Sequence, residues 1–155
     1  MTAVDLELLE GEQLMSDGGE LAYRQTTKHM FDDGKLATTA FGPMRADTGM
    51  PSFSRSSLVT AQDARDWHTR NAKSPSLGVW AVTVGEVVES ERYVVDDSKS
   101  PLTDGEERAP GHCFVDYRGL TKAQQRELRT KLYFRAIDRG EVPTEATPAE
   151  GQLFA

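Results

Sequence analysis

The stretch that most restricts the fold is Val79 to Val88, Val-Trp-Ala-Val-Thr-Val-Gly-Glu-Val-Val. Read as an extended segment, one side carries Trp80, Val82, Val84, Glu86 and Val88, and the other Val79, Ala81, Thr83, Gly85 and Val87. Both sides are mostly apolar, as expected of a strand covered on both faces, so the segment is expected in the middle of a sheet. Glu86 is the odd residue in that pattern: a buried carboxylate must be paired or protonated, unless the strand emerges from the sheet there.

A second strand is expected at His112 to Tyr117, where His112, Phe114 and Asp116 alternate with Cys113, Val115 and Tyr117. Leu21 to Gln25, Lys35 to Phe41 and Tyr93 to Val95 have strand composition, with Asp32-Asp33-Gly34 as a turn and Gly42-Pro43 as a stop. Two helices are signalled. One runs from Thr60, an N-cap with Asp63 three residues on, to about Asn71, with His68 half-buried on its inward stripe. The other spans Thr121 to Arg139, with a Thr121/Gln124 capping box, Gly140 as a stop and Pro143 beyond it. Between the strands, residues 96–111 read as one long irregular loop.

These elements imply a single α+β domain over residues 21–140, a mixed or antiparallel sheet covered by two main helices. An acidic arm (residues 1–20) precedes it and a tail (residues 141–155) follows, ending in the apolar pair Leu153-Phe154. A chain of 155 residues can bury a core without disulfides, and a single cysteine, Cys113, allows none within the chain. No apolar run approaches the ~20 residues of a membrane span, and the acidic start is unlike a targeting sequence, so a cytoplasmic protein is expected.

Charge is unevenly placed within the net −7. Residues 1–22 hold six acids and no base, whereas residues 118–139 hold seven bases against two acids. That pattern argues against nucleic-acid binding and for local docking on a protein partner. On the last helix Lys122, Arg126 and Arg129 share one arc, expected to turn inward. They either pair with carboxylates such as Asp116 or Glu86, or overhang a cleft that takes an anion or an acidic partner. Arg24, inside a strand, needs a carboxylate or an anionic ligand for its five donors.

Catalytic signals are sparse. The serines of residues 45–57 stand in no nucleophile-elbow pattern, and no histidine is spaced to serve them as a local base. His112 and Cys113 point to opposite faces and form no dyad, and His29, His68, His112 and Cys113 match no zinc spacing, so no metal is expected.

The phrases Tyr23-Arg24-Gln25, Thr38 to Phe41, Gly78 to Val84 and His112 to Leu120 resemble a family of small bacterial proteins without an assigned activity, and that resemblance implies no chemistry. A second resemblance is to arginine-class ADP-ribosyltransferases, which present in order an Arg on an early strand, a Ser near a following strand and a late Glu. Arg24, Ser54 or Ser56, and Glu106 or Glu107 follow that order. The resemblance implies an Arg holding NAD and a Glu bonding its ribose while the bond to nicotinamide breaks. The expected function is therefore that of a non-catalytic accessory protein of a bacterial cytoplasmic assembly. It would bind without a cofactor through Arg24, Lys122, Arg126, Arg129 and its acidic termini, the alternative being an NAD-using ADP-ribosyltransferase with Arg24, Ser54, Glu106 and Glu107.

Overall fold

A computed structural model describes residues 8–103 and 105–148. Among the described residues eight strands occur in chain order: β1 (Gln13–Leu14), β2 (Leu21–Thr26), β3 (Phe31–Asp32), β4 (Lys35–Leu36), β5 (Ser52–Arg55), β6 (Gly78–Thr83), β7 (Val94–Asp96) and β8 (His112–Val115). The helices are α1 (Ala61–Asn71), α2 (Val84–Glu89) and α3 (Lys122–Arg139). Six strands form one antiparallel sheet in the order β1-β7-β8-β5-β2-β6, and β3 and β4 form a separate hairpin. The fold is thus α+β, with an antiparallel sheet.

The register sorts the residues by face. Across β2 and β6, Ala22 lies opposite Val82, and Tyr23 opposite Ala81. Ala22, Val82, Phe53, Val94, Cys113 and Val115 share one core with Leu128, Leu132 and Ala136 of α3. Burial raises the Cys113 thiol well above its ordinary value, which leaves it a packing residue. The opposite face carries Tyr23, Gln25, Ser52, Ser54, His112 and Phe114. α1 covers only its β2–β6 end.

Several expectations need correction. The apolar stretch is strand only to Thr83, and β6 lies at the end of the sheet rather than its middle. Its outer backbone is nevertheless occupied: Val142 N–H donates to Val79 O at 2.8 Å and Arg139 Nη1 to Ala81 O at 2.9 Å. At Thr83 the chain turns into a helix because a capping box forms. Glu86 N–H donates to Thr83 Oγ1 at 3.0 Å, and Thr83 N–H to Glu86 Oε1 at 2.8 Å. Glu86 thus leaves the strand pattern, and Arg139 pairs with it at 2.9 Å. Val84 and Val87 are buried by their helical spacing, so packing overrides the strand preference of β-branched residues.

Residues 35–41 are not one strand: β4 ends at Leu36, and Thr38–Phe41 is a 3-10 turn. Tyr117 Oη–H anchors that turn by donating to Phe41 O at 2.6 Å. The Asp33-Gly34 turn forms as expected, both residues at positive φ. Helix starts also follow the sequence, with Thr60 Oγ1 accepting from Asp63 N and Thr121 Oγ1 from Gln124 N. The arm adds β1 to the sheet edge beside β7, while residues 142–147 dock along α1 through Arg65–Thr144, Gln62–Glu145 and Asp66–Thr147. Leu153-Phe154 lies outside the described residues.

Candidate functional site

Because α1 covers only part of its face, the sheet is left as the floor of a cleft of about 850 Å³. Tyr23, Gln25, Ser52, Ser54 and His112 belong to the floor. α1 contributes Ala64, Trp67 and His68, and the segment between β2 and β5 contributes Met30, Met44 and Met50. The remaining wall is the loop after β7, with Asp97, Leu102, Glu106, Glu107 and Arg108, together with Glu10 and Glu12 of the arm.

Pairing of β5 with β8 sets Ser54 opposite His112 and Ser52 opposite Phe114, so Ser52 lies diagonally across from His112 on the same face. One step beyond the β7–β8 ladder, Asp97 comes alongside. His112 Nδ1 is 2.6 Å from Asp97 Oδ1, and its Nε2 is 3.0 Å from Ser52 Oγ. Since a carboxylate only accepts, Nδ1–H donates to Asp97, and in the tautomer this leaves, Nε2 can accept from the Ser52 hydroxyl. Ser52 is exposed, whereas the His112 and Asp97 side chains are only 18% and 20% exposed. A carboxylate, an imidazole and a hydroxyl are thus in hydrogen-bond sequence in an open cleft, an order that could serve an orienting acid, a base and a nucleophile.

Neighbouring contacts hold this line in place. Arg55 bridges Glu20 at 2.8 Å and Asp96 at 2.6 Å, fixing the end of β7 that precedes Asp97. Arg55 together with Ser57 holds the Glu20 carboxyl below its ordinary range. Burial opposes the same shift at Asp96, yet bonds from Ser98 and Arg55 lower it. Arg108 staples the loop by donating to Ser98 O at 2.8 Å and Ser100 O at 2.7 Å. Gly11, at φ +81°, lies so close that a Cβ there would meet Lys99 O at 2.5 Å, which seats the arm against the loop. Arg118 ties the arm to β8's end by pairing with Glu12 at 3.0 Å and Asp116 at 2.9 Å.

The expected site residues are placed as follows. Arg24, Ser54, Glu106 and Glu107 all border the cleft. Arg24, however, is 5% exposed and needs neither carboxylate nor ligand: it donates to Ala40 O at 2.7 Å, Ser52 O at 2.9 Å and Gly42 O at 3.3 Å, above the Phe53 ring. Burial lowers its pKa, but it stays a cation among carbonyl oxygens. Among the described residues Glu10, Glu106 and Glu107 have no cationic partner, so the rim is negative. Burial lowers the pKa of His68, whose Nε2–H donates to Ser74 O at 3.0 Å.

The basic trio of α3 is away from this cleft, and of the three only Arg129 turns inward as expected. Lys122 and Arg126 are exposed with no ion pair among the described residues, while Arg129 lies half-buried against Gly42. Asp116 and Glu86, their expected partners, are held instead by Arg92 and Arg118, and by Arg139.

Sequence reasoning missed Ser52, His112 and Asp97 as a group because Ser52 and His112 are 60 residues apart and meet only through strand pairing. The available signal was that Ser52, Ser54 and His112 occupy alternate positions of two short strands. Among the described residues no cluster of His, Cys, Asp and Glu could hold a metal, and no helix is long and apolar enough to cross a membrane. No family model, curated protein or solved structure matches this chain.

Proposed function

We propose that this chain hydrolyses or transfers acyl groups in its cleft, with Ser52 as nucleophile, His112 as general base and Asp97 as the group that orients it. The observation that carries this reading is the Asp97–His112–Ser52 hydrogen-bond line, 2.6 and 3.0 Å long, open to a cleft that can hold a small molecule. In the reaction Ser52 Oγ attacks the acyl carbon while its proton passes to His112 Nε2. The carbonyl π pair moves to oxygen and returns as the bond to the leaving group breaks, the leaving group taking the proton from Nε2. Water then repeats the sequence to release the acid and restore Ser52. Unpaired rim carboxylates favour neutral or cationic substrates over anionic ones.

Short-chain aryl esters, with neutral and with quaternary-ammonium acyl chains, test the reading alongside labelling by a fluorophosphonate. Ester turnover and labelling of Ser52 are expected. Ser52→Ala should abolish both, and Asp97→Asn should lower kcat by about 10⁴-fold through the wrong tautomer. Absence of turnover and labelling, or full activity in Ser52→Ala, would overturn it. Nicotinamide release from NAD under the same conditions would restore the ADP-ribosyltransferase alternative, in which Ser54, Glu106 and Glu107 face the dinucleotide.

A second reading, docking in a bacterial cytoplasmic assembly, is favoured by the exposed and unpaired Lys122 and Arg126 on α3. Here a stoichiometric acidic partner is expected in the mass of the assembly purified from the native host. Reversing both residues to Glu should release it; a monomer of unchanged mass would end this reading.

A further inference from the structure

We infer that the cleft takes acyl compounds in one direction, with an apolar acyl chain towards α1 and a positively charged leaving group, a short amino alcohol or diamine, towards the loop after β7. The inference rests on the acyl-transfer reading of Ser52 and adds a substrate class to it.

The strand order sets the two ends of the cleft apart: β7 and β8 lie on one side of β5, β2 and β6 on the other. Over the β2–β6 end stands α1, which brings Ala64 and Trp67 to the cleft, and Tyr23 of β2 lies on the floor before them. At the β7–β8 end the wall is the loop after β7 with the arm, whose β1 pairs with β7. Glu10, Glu106 and Glu107 of that wall are exposed and have no ion pair among the described residues. Arg108 adds one cation there, held on Ser98 O and Ser100 O, so negative charge stays in excess. The other carboxylates at the cleft are engaged: Glu12 by Arg118, Asp97 by His112 and Asp47 by the N–H of Met44.

Ser52 stands on β5 between these ends, with roughly 10 Å of floor from β8 to β2. Ser54, on the same floor and 8% exposed, lies directly across from His112 on one side and Tyr23 on the other. Its hydroxyl has no hydrogen-bond partner among the described residues, and both ring nitrogens of His112 are taken by Asp97 and Ser52. The floor thus keeps a free polar group at mid-cleft, where the polar centre of a ligand would lie between an apolar and an acidic end. Direction follows from the base. His112 Nε2 takes the Ser52 proton and returns it to the atom that leaves, and His112 is on β8, the acidic side of Ser52. The leaving atom therefore faces β8, and the acyl chain faces Tyr23 and Trp67. A cation on the leaving group meets Glu10, Glu106 and Glu107, whereas a cation on the acyl chain meets the apolar end.

Three esters of matched size test the direction: hexanoylcholine, its uncharged analogue with a tert-butyl group in place of the trimethylammonium group, and the reversed ester with the trimethylammonium group on the acyl chain. Each kcat/KM is divided by the rate of alkaline hydrolysis of the same ester, which removes intrinsic reactivity. The wild type should favour hexanoylcholine over the uncharged ester by about tenfold and place the reversed ester last, since three exposed carboxylates act on one cation. Glu10→Gln, Glu106→Gln and Glu107→Gln combined, with an unchanged melting curve as the check on folding, should bring that ratio close to one, as should molar salt. Trp67→Ala should cut the preference for hexanoyl over acetyl esters by about tenfold. The inference fails while Ser52 stands if the wild type turns over the uncharged ester through Ser52 and any of three results follows: no preference for the cationic leaving group or a preference for the reversed ester, a preference that survives the triple variant, or a chain-length preference within twofold of wild type in Trp67→Ala. If the wild type neither turns over any of these esters nor labels at Ser52, both readings fall together.

Discussion

Arg24 and Arg55 sit on paired strands and use their charge in different ways. Arg24 is spent on three backbone carbonyls, which fixes the turn after β4 onto the sheet. Arg55 instead joins Glu20 and Asp96, whose pKa values lie below their ordinary 4.5 and 3.8. A carboxyl with a lowered folded pKa binds fewer protons folded than unfolded, so its contribution is complete above the unfolded value and is lost as pH falls through the folded one. Thermal unfolding followed by circular dichroism should therefore show the melting temperature of the wild type dropping below about pH 4.5. Arg55→Gln should be less stable at neutral pH and show a shallower acid limb; an unchanged limb would mean that the pair contributes nothing. An arginine in a strand was legible as a residue needing partners, but which partners it found was not, because backbone carbonyls leave no trace in sequence.

Caps and turns were the most legible elements. Thr60, Thr121 with Gln124, and Asp33-Gly34 act within three residues of themselves, so local chemistry decides them. The conversion of Val84–Glu89 to helix was not legible from its valines, since its outcome depends on the Thr83–Glu86 box, on Arg139 and on the close approach of Gly18, whose O accepts from Gly85 N at 2.9 Å. The same holds for the edge position of β6. Val142 occupies its outer hydrogen-bonding side, and edge strands left open pair with other chains. A chain cut after Gly140 should therefore keep the sheet yet gain concentration-dependent association, read by light scattering; a stable monomer would show that Arg139 alone protects the edge.

For the molecule as a whole, the α+β class and both main helices could be read from periodicity, whereas strand order and the cleft could not. The acidic arm illustrates the difference. Its charge was plain, but its place beside β7, with Gly11 against Lys99 and Glu12 on Arg118, follows from long-range contacts. Charge asymmetry similarly pointed to α3 as a surface, while the rim of Glu10, Glu106 and Glu107 was assembled from two distant segments. The diagonal meeting of Ser52 and His112 has one more consequence, for the time course of synthesis. No stretch of chain ending before residue 112 contains the arrangement, so on the acyl-transfer reading a nascent chain shorter than that would lack activity whatever its local order. On the acyl-transfer reading, activity would report the completed pairing of β5 with β8 rather than any single local part of the fold.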